Sequence, residues 1–199
     1  MQTDAIAAKT REATTGKAYG EVLDSGAVRF ERLLPGPIER VWAYLVEGEK
    51  RATWFCGGET EARVGGRIEL FFKHSQITNE PPPESARKMH DEGALMSGTV
   101  TVYDPPHRLA FNWVGMGDPD SDVEIELAPV GDKVRLVLIH RRLATKHRMA
   151  MVSSGWHLHL GLLEDRLLGQ PPRAFWSVHE GLMAQYAQMQ QEVPCKAGP

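Results

Sequence analysis

Between residues 58 and 141, run after run of the chain places apolar side chains at every second position, and each run stops at a turn signal. Period two belongs to a strand whose side chains alternate between two faces, so these runs must pair into a sheet with one apolar face. "ETEARVGGRIELFF" reads as two strands around Gly65-Gly66. "ALMSGTVTVYDPPHRLAFNWV" gives two more around Asp104-Pro105-Pro106, and "SDVEIELAPVGDKVRLVLIH" a third pair around Pro129-Val130-Gly131-Asp132. Upstream, "YGEVLDSGAVRFERLL" is a hairpin about Asp24-Ser25-Gly26, whose second run alternates Val28, Phe30, Arg32 and Leu34.

An apolar sheet face needs a cover, and the period changes where helices can supply it. In "PGPIERVWAYLV", Ile38, Val41, Trp42 and Leu45 fall on one helical face, with Pro37 suited to the first turn. "GEKRATWF" is a second short helical piece, ended by Gly57-Gly58. A long helix begins between Thr145 and Ser154, runs to about Leu168 and stops at "GQPP"; "RAFWSVHEGLMAQYAQMQQ" forms a last one. Residues 74–94, rich in Pro and charge, read as a loop or mobile flap at the end of the sheet. The expected organisation is one domain over 19–192, with a flexible segment 1–18, an extra helix within 171–192 and a tail 193–199.

The 199 residues are 42% hydrophobic and 25% charged, enough for a real core. A net charge of −3 gives no general reason to expect a nucleic-acid partner or an anionic membrane. No apolar stretch is long enough to span a bilayer. Cys56 and Cys195 fit no zinc or redox spacing, and a reduced, cytoplasmic protein is the simplest reading.

"SSGWHLHLGLLEDRLLGQPP" sets His157 and His159 on the long helix. Residues two apart on a helix diverge by about 200°, so the pair cannot close on one metal, which would want i, i+4 spacing. At 100° per residue, His159 falls inside the arc of Trp156, Leu160, Leu163 and Leu167, about 60° from Trp156. It is either a core histidine bonded to backbone or a polar handle in a ligand cavity. His157 falls outside that arc beside Glu164, as a surface histidine would. His140 shares parity with Leu136 and Leu138 and so faces inward. Gly155, costly within a helix, implies close approach to another backbone, most simply the sheet.

Other candidates are weaker. Asp118, Asp120, Asp122 and Glu124 imitate a calcium loop, but Val123 and Pro129 stand where Gly and Glu are required. "HRRLATKHR" is a solvated basic cluster, with anion capture by Arg141, Arg142 or Lys146 as the alternative. "HDE" (His90, Asp91, Glu92) could do acid–base work, though nothing fixes its geometry. Cys56 reads as a packed thiol. No nucleophile elbow, phosphate loop or dinucleotide fingerprint occurs.

"RFERLLPGPIERVWAYLVEGEKRATWF", "GGRIELFF", "GTVTVYDPPHRLAFNW", "VRLVLIH" and "SGWHLHLGLLEDRL" together resemble the activator-of-heat-shock-protein-90-ATPase homologue family of the START-like (SRPBCC) superfamily. The most specific matches are Pro37-x-x-x-Val41-Trp42, Asp104-Pro105-Pro106-x-Arg108-Leu109 and Gly155-Trp156. The resemblance implies an α+β helix-grip fold, a curved antiparallel sheet wrapped around a long C-terminal helix with a hydrophobic cavity between them. The leading expectation is a non-enzymatic binder of a small hydrophobic or amphipathic molecule, with no cofactor. Phe72, Phe111, Trp113, His140, Trp156, His159, Leu160 and Leu163 would line the cavity, with Trp54 near its mouth. The alternatives are a cyclase or hydrolase using His159 or His140 as general acid–base, and a chaperone-interaction domain. Apolar Val137 and Ile139 on the outer sheet face leave room for a homodimer.

Overall fold

Seven antiparallel strands form one sheet in the order β1-β2-β7-β6-β5-β4-β3. They are β1 (Glu21–Leu23), β2 (Ala27–Pro35), β3 (Arg67–Phe72), β4 (Ala94–Asp104), β5 (Arg108–Trp113), β6 (Ser121–Val130) and β7 (Lys133–Arg141). A computed structural model describes residues 19–23, 26–114 and 120–192. The segments 1–18 and 193–199, Asp24 and Ser25 of the first turn, and Asp118 lie outside the described residues.

The alternation sets the register. Val28, Phe30 and Leu34 of β2, Val123, Ile125 and Leu127 of β6, and Val134, Leu136 and Leu138 of β7 are all buried on one face. Arg32 shares that parity and is buried too; its guanidinium lies 5.5 Å from the Phe30 ring, and burial lowers its pKa. The outer face is charged. Glu124 takes Arg108 and Arg141 at 2.8 Å each, and it pairs in register with Ile139. Arg29 and Glu31 lie opposite Ile139 and Val137, so a dimer through this face would have to bury ion pairs.

One of the strands read from sequence does not form. The run before Gly65-Gly66 follows β3 through the isolated bridges Gly57 to Phe71 and Thr60 to Ile68, without a continuous strand ladder. Gly58 adopts φ +96, outside the range of a strand, and its carbonyl turns to the buried guanidinium of Arg51.

Helices α1 (Ile38–Val46) and α2 (Gly48–Arg51) cover one end of the apolar face, with Pro37 at the cap position of α1. The long α4 (Lys146–Leu168) crosses it. The Thr145 side chain caps α4 by accepting from the Arg148 N–H, and Gly169 ends it at φ 66, a left-handed conformation favoured by glycine. α5 (Trp176–Glu192) packs along the other side of α4, so α4 is buried almost all round. Residues 171–175 form an irregular strap instead of the start of that last helix, held where Arg173 grips Asp165 at 2.7 and 2.9 Å.

α5 corrects the surface reading of His157. The ring is half-buried, and Nδ1 lies 3.0 Å from the Tyr186 hydroxyl of α5. A helix wheel shows only which residues share a face; it is blind to a second helix covering the polar one.

The 74–94 segment is not a plain loop or flap. It folds into the short turns His74–Gln76 and Glu84–Ala86 and the helix α3 (Arg87–Asp91), and it buries His74, Ile77, Thr78 and His90. No helix among the described residues is long and apolar enough to cross a membrane.

Candidate functional site

α4 does not fill the concave face of the sheet. A hollow of about 300 Å³ remains between Trp113 of β5, His140 of β7, Trp156 and His159 of α4, and a cap made by the 74–94 segment and the start of α5. Its walls are aromatic. Phe55 stacks on Trp156 at 4.7 Å, Phe72 on Trp113 at 5.5 Å, and Trp113 on His140 at 5.5 Å. The cap brings Met89, Phe175, Trp176 and His179 over this floor.

Gly155 lines the hollow, and a Cβ there would meet nothing within 4 Å. Among the described residues the expected close backbone approach is absent, and the missing side chain leaves open space instead.

The site histidines divide by their hydrogen bonds. Trp156 Nε1 donates to His140 Nδ1 at 3.0 Å, so the His140 proton sits on Nε2 and meets Ser121 Oγ at 2.8 Å. Both nitrogens are committed, and burial, reinforced by Arg148, holds the pKa down at about 3. His159 Nδ1 lies 2.8 Å from the Trp54 carbonyl and must donate to it, leaving Nε2 as a bare acceptor. Burial lowers its pKa to about 4 although that carbonyl acts the other way. The sequence left core anchor and cavity handle open for His159; its Nδ1 makes the core bond, and the ring also lines the hollow.

His74 lies 5.8 Å from the His159 ring. Its Nδ1 is buried with no hydrogen-bond partner among the described residues. Burial, then the neighbouring His159, His90 and His179, holds its pKa down at about 3.

The cap is latched. Glu80 accepts from the Phe175 N–H at 3.0 Å and the Ser177 N–H at 2.8 Å, taking up exposed donors at the start of α5. Those bonds, that of Ser177 foremost, lower the Glu80 pKa. Trp176 Nε1 donates to His90 Nδ1 at 3.1 Å, which gives His90 a structural partner.

Of the residues expected to line the cavity, Phe72, Trp113, His140, Trp156 and His159 do so. Phe111, Leu160 and Leu163 are buried behind them in the core. Trp54 is not at a mouth: it is 1% exposed, stacked on Phe55 at 5.3 Å, with its indole bonded to the Tyr44 carbonyl. Sequence reasoning missed His74, Phe175, Trp176 and His179; the available signal was that the 74–94 segment carries two histidines and the 171–192 segment a Phe-Trp pair with a histidine three residues on. Cys56 is buried, with its thiol pKa pushed up to about 12 by burial. Asp122 pairs with Arg142, and among the described residues no cluster of His, Cys, Asp or Glu could hold a metal.

The family described as Activator of Hsp90 ATPase homolog 1-like protein matches residues 35–167. The chain belongs to this family. A relative within the same fold, a Bordetella parapertussis protein solved by NMR, is 41% identical with a TM-score of 0.75, over 88% of this chain and 92% of that one. CalU16 from Micromonospora echinospora is 23% identical with a TM-score of 0.62, over 82% and 87%. A Mesorhizobium loti protein is 21% identical with a TM-score of 0.56, over 72% and 96%. These last two likenesses concern the fold. No curated protein matches the chain. For this activator-homologue family member the matched region ends at Leu167, so the strap and α5, which supply Phe175, Trp176 and His179 to the cap, lie beyond it.

Proposed function

We propose that this protein binds a small apolar or amphipathic molecule in the hollow between its sheet and α4, and does not transform it. The observation that carries this reading is the roughly 300 Å³ space walled by stacked aromatic rings and partly covered by a latched cap. That size lies at the lower end of small-molecule sites, which run from about 300 to 1,000 Å³ and are mostly apolar with a few polar groups. Among the described lining residues there is no carboxylate or thiol. His140, a candidate acid–base in the enzymatic alternative, has both nitrogens occupied and is unsuited to shuttle a proton.

The test is a titration with 2-methylnaphthalene, followed by fluorescence of Trp113, Trp156 and Trp176 around the hollow. Saturable quenching at one site per chain supports the reading. Its absence, or equal quenching in a Gly155→Leu variant whose side chain occupies the space, overturns it.

A further inference from the structure

Most polar groups facing the hollow are already spent. The Trp113 indole N–H points to Met96 Sδ at 3.2 Å, that of Trp156 to His140, and that of Trp176 to His90. Toward an occupant these three rings therefore present apolar surface. Ser85, Arg148 and His179 sit at more open positions around the rim. Deep in the site, His74 and His159 keep unused hydrogen-bonding capacity.

Their capacities are complementary. His159 Nε2 is a lone pair, because its Nδ1 proton is held by the Trp54 carbonyl. His74 is 8% exposed and Nδ1 has no partner. A buried N–H without a partner is rarer than an under-used acceptor, which assigns the single proton of this neutral ring to Nε2. One histidine thus offers an acceptor and the other a donor, on rings 5.8 Å apart.

Resting on the binding function above, we propose that the occupant is a ring compound bearing a hydroxyl group, which donates to His159 Nε2 and accepts from His74 Nε2–H. A hydroxyl does both at once through a single oxygen. A ketone or ether can only accept. A carboxylate would set its charge against the His159 lone pair inside an apolar wall and lose its hydration. An ammonium can only donate, and would leave the His74 proton unmatched.

The experiment compares 2-naphthol with 2-methylnaphthalene by equilibrium dialysis against the full chain. The two share a bicyclic ring and nearly the same size. Without partners in the site, 2-naphthol should bind more weakly, since its hydroxyl must leave water. With them, it binds about tenfold tighter or more, the worth of one good hydrogen bond. In His74→Phe the aromatic ring remains and an unpartnered buried nitrogen goes. In that variant the ratio of the two affinities falls most of the way to that expected without a partner for the hydroxyl. Equal affinities in the wild-type protein, or a preference unchanged in His74→Phe, overturn the hydroxyl assignment and leave apolar binding standing. Should His74→Phe fail to fold, the wild-type comparison decides alone. Failure of both probes to bind removes the binding function and this inference with it.

Discussion

Trp156 on α4 and His140 on β7 are joined by a hydrogen bond of 3.0 Å between Nε1 and Nδ1. It ties the long helix to the sheet at the floor of the hollow, and it fixes the His140 tautomer because an indole can only donate. Trp156→Phe keeps an aromatic ring but leaves Nδ1 buried and unpaired. The expected cost is about 1–3 kcal/mol, read as a lower urea midpoint. In the wild-type protein, nitrogen NMR should find His140 protonated at Nε2; the opposite tautomer would break this account of the floor.

Gly155 separates stability from binding. It lies inside α4, and a methyl group on its Cα would have no neighbour within 4 Å, so Gly155→Ala should stabilise the free protein by about 1 kcal/mol. The larger Gly155→Leu should fold as well and exclude 2-methylnaphthalene. Thermal melting and dialysis on the same samples check both halves.

Stability should fall with acid well before the carboxylates titrate. The folded pKa values of His74 and His140 are about 3 and that of His159 about 4, against an ordinary 6.5. The unfolded chain therefore binds protons first. The stability from neutral burial is complete above about pH 6.5 and is lost as pH falls from there toward the folded values. The slope should approach about 1.4 kcal/mol per pH unit for each such histidine. Urea melts between about pH 7.5 and 4.5 test the sign, and His74→Phe should flatten the slope by one histidine's share.

Arg51 is 2% exposed and donates to the carbonyls of Leu45, Cys56, Gly57, Gly58 and Glu69 and to Thr60 Oγ1. Arg51→Met would strand those acceptors where the expected strand gave way. A loss of about 3 kcal/mol or more is expected, seen as a much lower melting temperature. A near-neutral result would mean that water replaces the guanidinium.

Glu80→Ala should loosen the cap without unfolding the domain. Loss of its two bonds to the start of α5 costs about 1 kcal/mol, the scale of a helix cap. Hydrogen exchange should quicken at Phe175 and Ser177 while the amides of β6 and β7 stay protected. Uniform acceleration would place Glu80 in global stability instead.

Period-two alternation and terminal punctuation settled much from sequence alone. The hairpin-rich sheet, its inward set Val123, Ile125, Leu127 and Val134, Leu136, Leu138, and the end of α4 at Gly169 follow from local geometry repeated along the chain, whereas its start within 145–154 was fixed by the Thr145 cap. His140 could be placed inward by parity, and His159 by its helical arc. Tertiary structure decided what meets those faces. α5 partly covered His157, the 74–94 segment brought His74 against His159, and the gap beside Gly155 stayed open. The physical reason is range: periodicity records which side chains share a surface, whereas a cavity is the space left when surfaces distant in sequence fail to close on one another.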